Sequence, residues 1–159
     1  LKTGIIIICY NNEHHIDQDL CVGYIKKIKE VQFCLVNNSS KDNTYELLKD
    51  ISEKCANVAV VDIKKYKSSK SAVKAGARFM FNEYNLKQLG FVTTNTFSKF
   101  ENLGALLQFI QKHQLDILGY NEKILAMKET KPTFFQSLFP VVDYLAKTNE
   151  QTEIAATQY

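Results

Sequence analysis

The sequence has no C-x-x-C pair, no G-x-G-x-x-G run, no block of like charge and no long apolar stretch, and each absence removes a class of protein. The longest apolar run, Ile5 to Cys9, is far short of the roughly 20 residues that span a bilayer. No basic start leads into an apolar region and cleavage site, so no signal peptide is read. The net charge is +3 and the lysines are scattered in pairs such as Lys26-Lys27 and Lys64-Lys65, which argues against a nucleic-acid partner. Without the glycine fingerprint, a dinucleotide-binding Rossmann domain is disfavoured. His14 and His15 are adjacent, without the i, i+4 spacing of a metal pair, and read as a solvated helix start. The four cysteines, Cys9, Cys21, Cys34 and Cys55, fall on apolar stretches and read as reduced core residues of a cytoplasmic protein.

What is present is a chain of 159 residues with 45% hydrophobic and 23% charged side chains, enough for one soluble domain with a real core. It begins at Leu1 without Met, as a fragment of a longer protein would. The central stretch is Phe33 to Thr44, FCLVNNSSKDNT. Phe33 to Val36 reads as a buried strand, Asn37 to Ser40 as a polar turn, and Leu47, Leu48 and Ile51 as one face of a helix. In an open α/β sheet, ligands bind at such carboxyl ends of strands.

The same alternation runs along the chain. Gly4–Cys9 reads as a central parallel strand, followed by a polar switch at Tyr10 to Glu13 and a helix from Ile16 that ends near Lys26 to Glu30. Strand two is Val31–Val36, and its helix runs from about Asn43 to Cys55 with Asp42 or Ser40 as cap. Strand three is Val58–Ile63; a Lys/Ser-rich loop over Lys64 to Lys70 leads to a helix through Ala72, Gly76, Phe79 and Met80. Strand four is Leu89–Val92, and a helix from about Phe100 to His113 follows. Leu115 to Leu118 reads as a fifth strand and Ile124 to Met127 as a further one, while Phe134 to Ala146 reads as a helix kinked or split at Pro140. The tail, 149–159, is polar and reads as loose. Strands alternating with helices predict one α/β domain over 1–159, with a mostly parallel sheet sandwiched by helices.

Five segments, in order, resemble glycosyltransferase family 2 with its GT-A fold, over roughly residues 3–125. IIIICYNNEHHI is similar to the family's first strand and Y-N-x-E turn, and CLVNNSSKDNTYELL to its V-D-D-x-S-x-D-x-T segment with asparagine in place of both aspartates. Ser68 to Gly76 resembles the glycine-rich segment after strand three. LGFVTTNTFSKFENL resembles the strand bearing the metal-binding D-x-D, with Thr93-Thr94-Asn95 at the triplet, and LDILG the next strand of the polyprenyl- or dolichyl-phosphate sugar transferase branch.

The resemblance implies a nucleotide-sugar site at Cys9, Tyr10, Asn11, Glu13, Asn38, Lys67, Lys70, Thr93, Thr94 and Asn95. Tyr10 would stack on a base, and Asn38 would stand where the family's aspartate accepts a hydrogen bond from the uracil imide. A neutral amide there makes the weaker bond. A turn-forming asparagine pair, a half-buried tyrosine, and a carboxylate in the first helical turn at Glu13 would give the same letters. Two threonines and an asparagine offer only neutral oxygens, which suit a hard dication poorly, so no cofactor is expected. Mg²⁺ or Mn²⁺ arriving with the nucleotide-sugar is the one exception left open. Lys64, Lys65, Lys67 and Lys70 are then the candidates for neutralising a diphosphate. Glu101, Asp116, Glu122 and Asp143 are the carboxylates available as a base, and spacing singles out none. The resemblance implies an enzyme that transfers a sugar from a UDP- or GDP-sugar to a lipid-linked or polysaccharide acceptor, at the cytoplasmic face of a membrane. The alternative is an inactive domain of the same fold that binds a nucleotide, a sugar or a protein.

Overall fold

A computed structural model describes residues 3–93, 99–120 and 138–147. Its centre is a parallel sheet of five strands, β1 (Thr3–Cys9), β2 (Val31–Asn38), β3 (Val58–Ile63), β4 (Gln88–Val92) and β5 (Leu138–Pro140), in the order β3-β2-β1-β4-β5. The register runs Ile7 to Leu35, Leu35 to Val60 and Ile7 to Val92, so the strand ends are level. The order turns back on itself at β1, the arrangement that opens a crevice at the carboxyl edge.

The continuous apolar runs of β1 and β2 are buried on both faces, which is why they lack polar alternation. Alternate residues serve opposite layers. Ile5, Ile7, Cys9, Phe33 and Leu35 face α1 (Gln18–Lys26), α2 (Thr44–Lys54) and α4 (Leu103–Lys112). Ile6, Ile8, Cys34 and Val36 face α3 (Ser69–Glu83). Gly76 lets α3 lie against the sheet: a Cβ there would stand 2.9 Å from Ile6 Cγ2 and 3.1 Å from Val36 Cγ2. All four cysteines are buried and free, and burial pushes the thiols of Cys9, Cys21 and Cys34 up to about 12. They are inert packing groups at neutral pH.

Several expectations are corrected. Leu115 to Leu118 is not a strand but a short helix, α5 (Gln114–Leu118), following α4 after a turn at His113. Only Ile117 of it is buried and Leu115 is 81% exposed, so the apolar run does not have the two covered faces of a central strand. Leu138–Pro140, expected to be helical, is the edge strand β5, and a helix, α6, begins only at 141–147. Proline has no N–H to donate, and an edge position tolerates that. Residues 134–137, the proposed strand Ile124 to Met127 and the tail lie outside the described residues.

Asn37 and Asn38 are not in the turn but are the last paired residues of β2, opposite Asp62 and Ile63. The first helix starts at Gln18, capped by Asp17, after a 3₁₀ turn over Glu13–His15. Its buried residues are Cys21 and Ile25, while Leu20 is 44% exposed. Neither Asp42 nor Ser40 is the N-cap of α2; Asn43 is, without a side-chain bond, and Asp42 reaches Thr44 from one residue further out.

Candidate site at the carboxyl edge of the sheet

Because the strands are parallel and level, Tyr10, Asn38, Lys64 and Thr93 all follow or end strands at one edge of the sheet. The turns after β1 and β2 are laced together. The Asn11 N–H donates to Ser40 Oγ at 3.0 Å, and the Lys41 N–H returns a bond to Asn11 Oδ1 at 2.8 Å. The Asn12 N–H donates to the buried Thr44 hydroxyl at 2.7 Å, and Thr44 Oγ1 donates on to Asp42 at 2.6 Å. The Glu13 N–H donates to Asp42, while the Asn43 N–H donates to the Glu13 carboxylate. Burial alone would raise the Asp42 pKa, but the Thr44 hydroxyl and the N–H groups of Thr44 and Glu13 hold it below the usual carboxylate value. Asn11 and Ser39 both take positive φ, 49° and 60°. Asparagine tolerates this left-handed conformation, whereas serine keeps it only where its surroundings enforce it.

The end of β2 turns its polar atoms inward. Asn37 Nδ2 donates to Asp62 at 2.8 Å, and Asp62 also pairs with Lys64 at 2.6 Å. Burial would raise Asp62, but Lys64 and Asn37 outweigh it and keep its pKa low. Asn38 is 2% exposed. Its Nδ2 donates to the Lys67 carbonyl at 2.8 Å, and its Oδ1 accepts from the Lys67 N–H at 3.0 Å. Both halves of the amide are therefore bonded to one backbone unit of the loop after β3. The Ser39 hydroxyl donates to the Lys64 carbonyl at 3.1 Å, fixing the same loop at a second point. Between these points stands Tyr66, 58% exposed, with its ring centroid 4.8 Å from that of Tyr10 and the planes at 60°. Lys64 lies 5.9 Å over the Tyr45 ring.

The end of β4 differs. Thr93 lines two cavities on either side of Phe91. One, of about 220 Å³, also touches Lys99, Pro140 and Asp143. The other, of about 350 Å³, is walled by Val73, Phe91 and Leu138 with Lys70 and Lys74 beside them. Lys99 and Asp143 pair across 3.6 Å, both well exposed.

The site residues expected from sequence thus divide. Tyr10, Asn11, Glu13, Asn38 and Lys67 are brought together at the β1, β2 and β3 ends, with Lys70 and Thr93 further along the edge. The side chain of Cys9 is fully buried in the core and offers the edge only its backbone. Thr94 and Asn95 lie outside the described residues. Tyr66 was missed, although it is the one aromatic residue in the 64–70 loop. Of the carboxylates, Asp143 is at this edge, while Asp116 sits on α5, whose Ile117 carbonyl bonds Gln88 at the opposite end of β4. Glu101 is exposed at the approach to α4, and Glu122 is not among the described residues.

Among the described residues no group of three or more His, Cys, Asp or Glu is placed to hold a metal, and Thr93 supplies a neutral hydroxyl where a hard cation takes carboxylate oxygen.

A model of the family described as "Glycosyl transferase family 2" matches residues 4–130. Among solved structures, a crystal structure of S. aureus TarS 1–349 aligns with 16% identity and a TM-score of 0.46, over 72% of this chain and 33% of that one. The chain therefore spans about one third of that protein's length. A comparison with curated proteins finds no match.

Proposed function

The chain belongs to glycosyl transferase family 2, with the helix-flanked parallel sheet of a GT-A fold, and from that premise we propose that it uses a nucleotide-sugar donor at the carboxyl edge of its sheet. The observation that carries this is the laced platform of the β1 and β2 turns, which holds Tyr10 beside a lysine-rich loop fixed to β2. In this reading a UDP or GDP base lies against the tyrosines. The diphosphate is neutralised by Lys64, Lys65, Lys67 and Lys70 rather than by a metal. In this reading the acceptor, a lipid-linked or polysaccharide glycan, enters beside Thr93 and gives its proton to Asp143, which lines the same cavity. Lys99 keeps that carboxylate in position. Among the described residues no helix is long and apolar enough to cross a membrane.

One observation favours a second reading, a domain that binds a nucleotide, sugar or protein without catalysis: Asn38, at the family's base-reading position, has its amide bonded internally. Calorimetric titration with UDP-, GDP- and dTDP-sugars, with and without Mn²⁺, separates the two. The transferase reading expects one donor to bind with an affinity that Mn²⁺ leaves unchanged, and to be turned over in EDTA. Binding without turnover, or no binding at all, favours the second reading.

A further inference from the structure

We infer that Asn38 is a positioning residue, a latch that fixes the loop after β3 and thereby holds Tyr66 against Tyr10. The argument is one of donor and acceptor matching. The backbone of one residue presents one N–H and one C=O, and a carboxamide is the side chain that answers both at once. Asn38 does so, at 2.8 Å to the Lys67 carbonyl and 3.0 Å from the Lys67 N–H, in a site that leaves it 2% exposed. Aspartate has the same shape but, ionised, only accepts. It would keep the bond from the Lys67 N–H and set a buried negative oxygen against the Lys67 carbonyl. Asparagine here is therefore not a weakened base acceptor but a group suited to a different partner.

What the latch achieves follows from the loop's geometry. Ser39 holds the Lys64 carbonyl and Asn38 holds Lys67, so the segment between them is fixed at both ends by consecutive residues, the last of β2 and the one after it. Ser39 takes φ 60° there. Tyr66 hangs between the fixed points and meets the Tyr10 ring although it is 58% exposed, where a tyrosine on a free loop samples other rotamers. With centroids 4.8 Å apart there is no room for a third ring between the two. A stacking ligand meets the tyrosines as a preformed pair, and the lysines of the loop come to the strand ends with them. The latch rests on the geometry alone and does not depend on the nucleotide reading.

The test reads the ring contact directly, by nuclear Overhauser effects between Tyr10 and Tyr66 in the wild type and in the variants Asn38→Asp, Asn38→Ala and Ser39→Ala. The charged groups on the elements packed against Asn38 are Asp62 and Lys64, which pair with each other, and Lys67; Asp42 and Glu13 lie in the neighbouring turns. Asp42 and Asp62 have lowered pKa values and so stay ionised at pH 4.5. The contact is expected in the wild type at both pH 7 and pH 4.5. In Asn38→Asp it should be lost at pH 7 and return at pH 4.5, because burial raises the new carboxyl group's pKa and its protonated form donates to the Lys67 carbonyl as the amide did. Asn38→Ala should lose it at both pH values, and Ser39→Ala should weaken it several-fold. The two alanine variants introduce no buried charge and keep the test open if Asn38→Asp does not fold at pH 7. An undiminished contact in Asn38→Ala, or a contact in Asn38→Asp that does not change with pH, would overturn the latch. A silent nucleotide titration would count against the function proposed above and would leave the ring contact where it is.

Discussion

Two strand ends at the carboxyl edge of the sheet, those of β2 and β4, are built in opposite ways. At the end of β2, Asn37 and Asn38 are 3% and 2% exposed, and every polar bond they make points back into the protein. At the end of β4, Thr93 borders two cavities, with the exposed pair Lys99–Asp143 beside it. At β2 the polar side chains are part of the framework; at β4 Thr93 borders cavities and an exposed ion pair. A substitution at the first end should be read in stability and one at the second in activity.

The largest effect separating the two ends is expected at Asp143. If it takes the acceptor's proton, Asp143→Asn lowers turnover by about 10²–10⁴-fold. Its unfolding free energy should stay within about 0.5 kcal/mol of wild type, as usual for exposed positions. Single-turnover kinetics beside urea unfolding would show this; a stable variant with undiminished turnover removes Asp143 from the reaction.

Next in size is Thr44→Val, at the β2 end. The swap keeps the shape but leaves the buried Asn12 N–H without its 2.7 Å acceptor and takes a donor from Asp42. The cost of an unsatisfied buried group is about 1–3 kcal/mol. That corresponds to a melting temperature lower by roughly 2–4 °C per kcal/mol in a domain of this size. A melting curve that matches the wild type would mean the lacing of the two turns contributes nothing.

A smaller effect should appear in acid. Asp42 and Asp62 both have folded pKa values below the ordinary carboxylate value of about 3.9. Their contribution to stability is therefore fully present above that value and is lost as pH falls through it towards the folded pKa. Unfolding free energies at pH 5 and pH 3 should differ less in Asp42→Asn than in the wild type, because one of the two groups no longer titrates. Parallel slopes would assign the acid sensitivity elsewhere. The smallest effect is expected for Lys99→Ala, an exposed pair worth at most about 1 kcal/mol, and differential scanning calorimetry should barely resolve it.

How much of this was legible in sequence follows the range of the interactions. The strands Gly4–Cys9, Val31–Val36 and Val58–Ile63 announce themselves as apolar runs between polar switches, because burial on both faces leaves a local mark. Leu138–Pro140 leaves none: three residues become a strand only by pairing with Leu89 to Phe91, some 50 positions earlier. Leu115 to Leu118 misleads for the converse reason, since four residues cannot distinguish a buried strand from a turn of helix. At the site, the turns were readable from their asparagines and serines, and the family's letters gave the positions. The role of Asn38 was not readable, since its partner is a backbone unit 29 residues away and any residue type supplies the same N–H and C=O. Of the four carboxylates, the fold sets Asp116 apart, at the other end of β4.

The contrast between the two strand ends is tested most directly by urea unfolding at pH 7 of two variants that place the same residue at each, Asn38→Asp and Thr93→Asp. Asn38→Asp should lose about 1–3 kcal/mol, the cost of a buried carboxylate facing a carbonyl whose donor has gone. Thr93→Asp should stay within about 0.5 kcal/mol of the wild type, because its side chain borders open space. Equal losses at the two positions, or a greater loss at Thr93, would contradict the account.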